Sequence, residues 1–240
     1  MPSEVITYET DGLSMISRLY RPAGVSGPRP GVLVFPEAFG LGEHALSKAE
    51  RLAGLGYVAL ACDLHGGGAM LTDMTKMMEA ITPLRTDASH VRTRTKTGLE
   101  VLKAQSGVDG SRIAAIGYCL GGAMALELAC TGAPIAAAVG FHSGLDRVSV
   151  ADAGNIRGKV LLCLGADDPG ITPEHRVAFE EGMRKSKVDW QMHLYGGVVH
   201  SFTNPAAAAM GRPEFARYDA AADARSWNAM RALFDEVFAG

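Results

Sequence analysis

The sequence predicts an α/β fold, a mostly parallel sheet of about eight strands flanked by helices and forming a single domain over residues 1–240. Three observations lead there. Short, continuous apolar runs alternate with longer amphipathic stretches, as strands buried on both faces of a sheet alternate with the helices that cover them. The 29 glycines and 11 prolines exceed what a helical bundle needs but suit tight turns between strands and helices. A chain of 240 residues, 48% of them apolar, holds enough material for one sizeable core.

The elements follow in order. Val5 to Tyr8 and Met15 to Tyr20 flank Asp11-Gly12 and read as a hairpin that Arg21-Pro22 ends. Gly31 to Pro36 is the first buried strand, followed by a helix over about Ala45 to Leu55, stopped by Gly56, and a second buried strand from Tyr57 to Cys62. Asp87 to Gln105 is predicted helical, Ile113 to Ile116 a strand, Ala123 to Ala129 a helix and Ile135 to Val139 a strand. Val160 to Leu164 and Gln191 to Tyr195 are further strands around a helix from Pro173 to Lys185. The last helix, about Asp219 to Phe238, carries Trp227, Met230, Phe234 and Val237 at helical spacing. Parallel strands joined by helices imply right-handed crossovers. Residues 66–83, with three glycines and four methionines, break the repeat and read either as a mobile cap over a pocket or as ordinary helix packing by methionine. Arg92 to Thr97, the one basic run, reads as a solvated helix face.

Composition excludes several functions. A formal charge of −3 and a pI near 6.2 provide no basic face for nucleic acid. No run reaches the roughly 18 apolar residues of a membrane span, and Met1 to Glu4 opens no export signal, so a cytoplasmic protein is expected. Cys62, Cys119, Cys130 and Cys163 form no C-x-x-C pair and no zinc spacing, and Asp63 with His65 forms no ligand pattern, so free thiols and neither metal nor cofactor are expected. Three of the four thiols lie in apolar runs; Cys119 does not.

Cys119 stands in Gly117-Tyr118-Cys119-Leu120-Gly121-Gly122, where a short apolar strand passes through a sharp turn straight into a helix. Such a turn holds a nucleophile clear of the chain at the C-terminal edge of the sheet, and the helix N-terminus favours thiolate and developing oxyanion. This is the elbow of an α/β-hydrolase fold with cysteine in place of serine. A nucleophilic thiol needs a base, and the base an orienting acid, in the chain order nucleophile, acid, histidine. Gly165-Ala166-Asp167-Asp168 follows one strand and Gly196 to Phe202, with His200, follows the next, both on the same sheet edge as Cys119. Spacing alone permits either aspartate. Of seven histidines, only His200 lies between the last strand and the last helix; His65 and His142 follow strands, but in positions that order does not call for. Phe35 to Gly40 places Glu37 at the end of a very apolar strand, near the pocket. The backbone amides of Ala38 and Leu120 are then the expected oxyanion donors.

Taken together, Pro36 to Gly40, Gly117 to Gly122, Gly165 to Asp168 with Pro173, and His200-Ser201-Phe202 resemble the dienelactone hydrolase (carboxymethylenebutenolidase-like) family, in order along nearly the whole chain. The resemblance implies an ester or lactone hydrolase acting on a small molecule through Cys119, His200 and an acyl-enzyme. It selects Asp168 over Asp167, and it implies that Glu37 helps activate a thiol that rests neutral and turned away until substrate displaces the carboxylate. Phe39, Tyr118 and Phe202 are expected to line the substrate site. The family's prototype grips a substrate carboxylate with an arginine soon after the histidine, whereas Ser201 to Pro205 here contains none, leaving Arg85 beside the cap as the candidate. A monomer or small homo-oligomer is expected. Two other readings remain: a binding module that kept the fold without turnover, and an amidotransferase-like or chaperone-like cysteine-elbow protein, which lacks the downstream aspartate and histidine order.

Overall fold

The computed structural model describes residues 3–145 and 148–239; Met1 and Pro2, read above for an export signal, lie outside them. Strands β1 (Ser3–Thr10) and β2 (Leu13–Tyr20) form the predicted hairpin. Then follow β3 (Arg29–Phe35), α1 (Glu43–Gly54), β4 (Val58–Ala61), α2 (Met74–Thr86), α3 (Ala88–Lys103), β5 (Val108–Tyr118), α4 (Leu120–Cys130), β6 (Ala137–Phe141), β7 (Lys159–Gly165), α5 (Pro173–Ser186), β8 (Trp190–Tyr195) and α6 (Ala220–Phe238). The sheet runs β1-β2-β4-β3-β5-β6-β7-β8. Strands β3 to β8 are parallel and β2 meets β4 antiparallel.

The pleat divides the core into two layers. Leu33, Phe35, Ile113 and Ala115 face α2, α3, α4 and α5. Val32, Val34, Ala114, Ile116 and Tyr118 face α1 and α6. All eleven residues of α4 are buried, so this helix is apolar on every side because sheet and neighbouring helices enclose it.

Three local expectations are corrected. Strand β5 starts at Val108 rather than Ile113, because a register shift at Pro30/Gly31 lets Arg29 and Pro30 pair with Val108 and Asp109, residues with no apolar pattern. Within 66–83 the helix packing by methionine forms but runs past the expected boundary: α2 starts where the Asp73 side chain caps the Lys76 amide and continues through Pro83 to Thr86. Its face of Met77, Ile81 and Leu84 is buried, and Leu84 lines, with Val91 and Leu120, a void of about 10 Å³, so this part of the segment is docked beside the elbow helix. Finally, the basic run is not a plain solvated face. Arg92 pairs with the buried Glu127 of α4 and with Asp152, Arg94 pairs with Asp11, and Thr95 is fully buried.

Candidate active site

The six parallel strands each deliver a polar side chain to one edge of the sheet: Glu37 after β3, His65 after β4, Cys119 after β5, His142 after β6, Asp168 after β7 and His200 after β8. Parallel pairing puts every C-terminal strand end on the same side, which is why residues more than 160 positions apart can meet there.

Cys119 occupies the single residue between β5 and α4 with φ 55° and ψ −118°, a conformation an L-residue holds only where its surroundings impose it. Those surroundings are backbone. A Cβ on Gly117 would collide with the Gly121 carbonyl, and one on Gly121 with the carbonyls of Phe35 and Pro36. The Cys119 amide donates to Phe141 O at 3.0 Å, tying the elbow to β6. Leu120 opens α4, so its amide is one of the N-terminal N–H groups without an intrahelical acceptor. Cys119 alone of the four cysteines is not fully buried. Burial pushes the thiols of Cys130 and Cys163 up to about 12, and that of Cys62 higher still.

Asp168 is buried, while its neighbour Asp167 is exposed to solvent. One Asp168 oxygen accepts from the Gly170 amide at 2.8 Å and the other lies 2.6 Å from His200 Nδ1. Of the two aspartates that spacing left open, it is Asp168 that meets His200. With Nδ1 taken by Asp168, the other nitrogen of His200 is left for the Cys119 sulfur, which lies near enough to act on the imidazole electrostatically. Burial by itself would lower the pKa of this imidazole, but the Cys119 sulfur and the Asp168 carboxylate beside it outweigh burial and hold it well above the ordinary histidine value. The loop is fixed by backbone pairing with the segment after it, His200 N donating to Phe215 O and Arg217 N to His200 O.

The Glu37 carboxylate takes its hydrogen bonds from the loop after β8: it accepts from Ser201 Oγ at 2.8 Å and Asn204 Nδ2 at 2.5 Å, with His44 Nδ1 at 3.6 Å. It binds the loop that carries His200, because Ser201 and Asn204 provide it with two neutral donors. Asn204 occupies part of the stretch in which an arginine was missed.

Tyr118 and Phe202, expected at the substrate, are fully buried on the α1/α6 side of the sheet. The alternation along β5 turns Tyr118 away from the edge, where its ring stacks on Phe141, and Phe202 packs between His142 and Tyr195. Phe39 remains half-buried at the site edge, its carbonyl accepting from the Leu71 amide, and Arg85 lies exposed in the last turn of α2. Four residues the sequence reading passed over belong to the surroundings of the site. His65 Nε2 donates to the Ala38 carbonyl at 2.8 Å, bracing the expected oxyanion loop, and His44, His142 and Thr203 form a buried polar group behind His200. The signal available for two of them was their place just after a parallel strand.

Comparison with known proteins now identifies the lineage. The sequence profile described as the dienelactone hydrolase family matches residues 15–238. The chain belongs to the dienelactone hydrolase family. It is an enzyme of the ester and lactone hydrolase class. A solved structure of a dienelactone hydrolase-like promiscuous phosphotriesterase, P91, from metagenomic libraries is 47% identical, covers 98% of each chain and superposes with a TM-score of 0.94. A Bradyrhizobium sp. protein named "Probable 2-oxo-3-(5-oxofuran-2-ylidene)propanoate lactonase" is 28% identical over 80% of this chain and 81% of its own. A thermophilic esterase from Thermogutta terrifontis, solved with propionate bound, shares the fold at 21% identity and a TM-score of 0.68, covering 98% of this chain and 94% of its own. Among the described residues no helix is long and apolar enough to cross a membrane.

Proposed function

We propose that this dienelactone hydrolase family member cleaves esters or lactones through a Cys119-His200-Asp168 triad and an acyl-enzyme intermediate. The observation that carries the reading is the buried 2.6 Å contact of Asp168 Oδ2 with His200 Nδ1, next to a thiol on a strained elbow whose sulfur acts on that imidazole.

Each step uses a group already in place. His200 takes the thiol proton, and Asp168 stabilises the resulting imidazolium and fixes which nitrogen faces the sulfur. The thiolate attacks the carbonyl carbon, and the carbonyl electron pair moves to oxygen, where the amides of Leu120 and Ala38 receive it. Collapse breaks the carbon–oxygen bond to the leaving group, which takes the proton from His200 and departs as an alcohol, or stays tethered if the substrate is a lactone. Water then attacks the thioester while His200 removes its proton, and collapse returns the thiol and a carboxylic acid.

Glu37 acts here by holding Ser201 and Asn204, and so the base, rather than by resting on the thiol. The substrate class follows the family name and the lactonase relative. A second reading comes from the 47% identical neighbour: the same thiolate attacking the phosphorus of an uncharged phosphotriester, with loss of the alcohol and hydrolysis of the resulting phosphothioester. Neither reading calls for an arginine after His200, since neither substrate need carry a negative charge.

The test is hydrolysis of p-nitrophenyl acetate, a dienelactone, a neutral lactone and a p-nitrophenyl dialkyl phosphate by the wild type and by Cys119→Ala. We expect turnover of the uncharged substrates, an adduct on the Cys119 peptide by mass spectrometry, and a loss on the order of 10⁴-fold in the variant. A folded wild type without turnover or adduct on any member would reject the hydrolase mechanism in favour of a binding module.

A further inference from the structure

His142 is held at a cost that packing alone does not explain. Its backbone is left-handed, φ 41°, at the end of β6, where an L-side chain is disfavoured. The side chain is completely buried, and its Nδ1 has no hydrogen-bond partner, a second penalty. An aliphatic side chain would avoid the second and glycine the first. What the ring touches shows what it supplies. Its centroid lies 5.2 Å from that of His200 at an interplanar angle of 65°, and Phe215 closes on His200 at 5.4 Å, so the base stands between two rings. Phe202 packs on His142 in turn, at 5.3 Å and 80°. His142 Nε2 bonds Thr203 Oγ1 at 2.8 Å, and Thr203, almost fully buried, is also held through its carbonyl and hydroxyl by His44 Nε2 at 3.1 and 3.2 Å. The contact therefore returns to the chain three residues after His200.

We propose that His142 is the positioning residue of the base: pinned by Thr203, its ring sets the plane in which His200 bridges Asp168 and Cys119. The assignment rests on the triad reading above. His142 suits this task because it stays uncharged. Burial lowers its pKa well below the ordinary value, and the neighbouring His200, His44 and Lys48 lower it further. The remaining charged groups around the cluster are spoken for, Asp168 by His200, Glu37 by Ser201 and Asn204, and Asp223 by Lys48. A neutral ring beside His200 neither competes for the thiol proton nor repels the imidazolium.

The experiment compares His142→Asn, which tolerates the left-handed backbone, with Thr203→Val and Thr203→Ser. Two readouts are taken on each: kcat and KM on the best ester of the panel, and the pH dependence of Cys119 alkylation by iodoacetamide, assigned by peptide mass. The alkylation rate reports the charge of His200, which faces the thiol, and needs no substrate. We expect His142→Asn to lower kcat about tenfold or more with KM within about twofold, and to move the His200 step of the alkylation profile to lower pH. Thr203→Val should do the same to a smaller degree, and Thr203→Ser should restore both. If His142→Asn does not fold, the threonine pair decides. Wild-type kcat and an unmoved profile in the folded variants, or a Thr203→Ser that fails to restore what Thr203→Val removes, would overturn the assignment. A wild type that turns over no ester but whose alkylation profile still moves in the variants would count against the hydrolase reading and leave this one standing.

Discussion

The nucleophile elbow and the His200 loop place their side chains by different means. At the elbow, backbone meets backbone: Gly117 and Gly121 let α4 approach β5 and β3 so closely that no other residue fits, and Cys119 has one conformation left to it. At the His200 loop, side chains do the work. Asp168 holds the ring, Glu37 holds Ser201 and Asn204, and His44 and His142 hold Thr203. Steric exclusion is local and insensitive to charge, whereas a hydrogen-bonded loop depends on groups from three other strand ends and helix α1 and on their protonation.

The largest effect that could break this contrast is at the acid. Asp168→Asn keeps the shape but removes the charge that orients and stabilises the imidazolium, and kcat should fall on the order of 10³–10⁴-fold. Asp167→Asn, at an exposed position, should change it less than about twofold. Equal losses in the two variants would mean that the 2.6 Å contact is not the working one.

Next comes the elbow. Gly121→Ala drives a methyl group into backbone carbonyls that cannot rotate away, and should destabilise the fold by about 3 kcal/mol. The urea midpoint measures this, and an unchanged midpoint would show that the elbow has room to yield. Third is the loop. Asn204→Ala and Glu37→Gln weaken the same anchor from its two ends, and each should reduce kcat about tenfold with non-additive effects in the double variant. Additive losses, or a Glu37→Gln effect confined to thiol reactivity, would return Glu37 to the thiol.

The smallest effect is linkage. His44, His65 and His142 have pKa values lowered first of all by burial. Unfolding restores each to near 6.5, so below that the unfolded chain binds more protons and stability drops with pH, by up to about 1.4 kcal/mol per pH unit for each. His200 has the opposite sign: raised in the folded protein, its contribution is complete below about 6.5 and is lost as pH climbs through its folded value. Three groups against one predict a urea midpoint that falls from pH 7 to pH 5, a range above the carboxylate titrations. His142→Asn should flatten that dependence, and a flat profile in the wild type would refute it.

Much of this was legible in the sequence because it is local. Each buried strand of the parallel sheet is an apolar run, and the elbow is six adjacent residues whose glycines announce the close approach. Chain order then sufficed to nominate His200. The misses are equally physical. Helix α2 is weakly amphipathic and contains a proline, so the sequence offered its helix packing only as one of two readings, and docking on the core gave it its bounds. Tyr118 and Phe202 are near the nucleophile and base in sequence but on the far face of the sheet, since adjacent residues point to opposite sides.

The sequence by itself determined the α/β class, the thiol on its elbow and the order of the candidate triad, because strand burial and steric exclusion are written in neighbouring residues. Only the tertiary structure decided that Asp168 is the buried aspartate, that Glu37 grips the base loop, and that His142 stands behind His200. Each of those depends on which strand ends become neighbours at the sheet edge, and pairing order is set by packing across the whole core, not by any one stretch of chain.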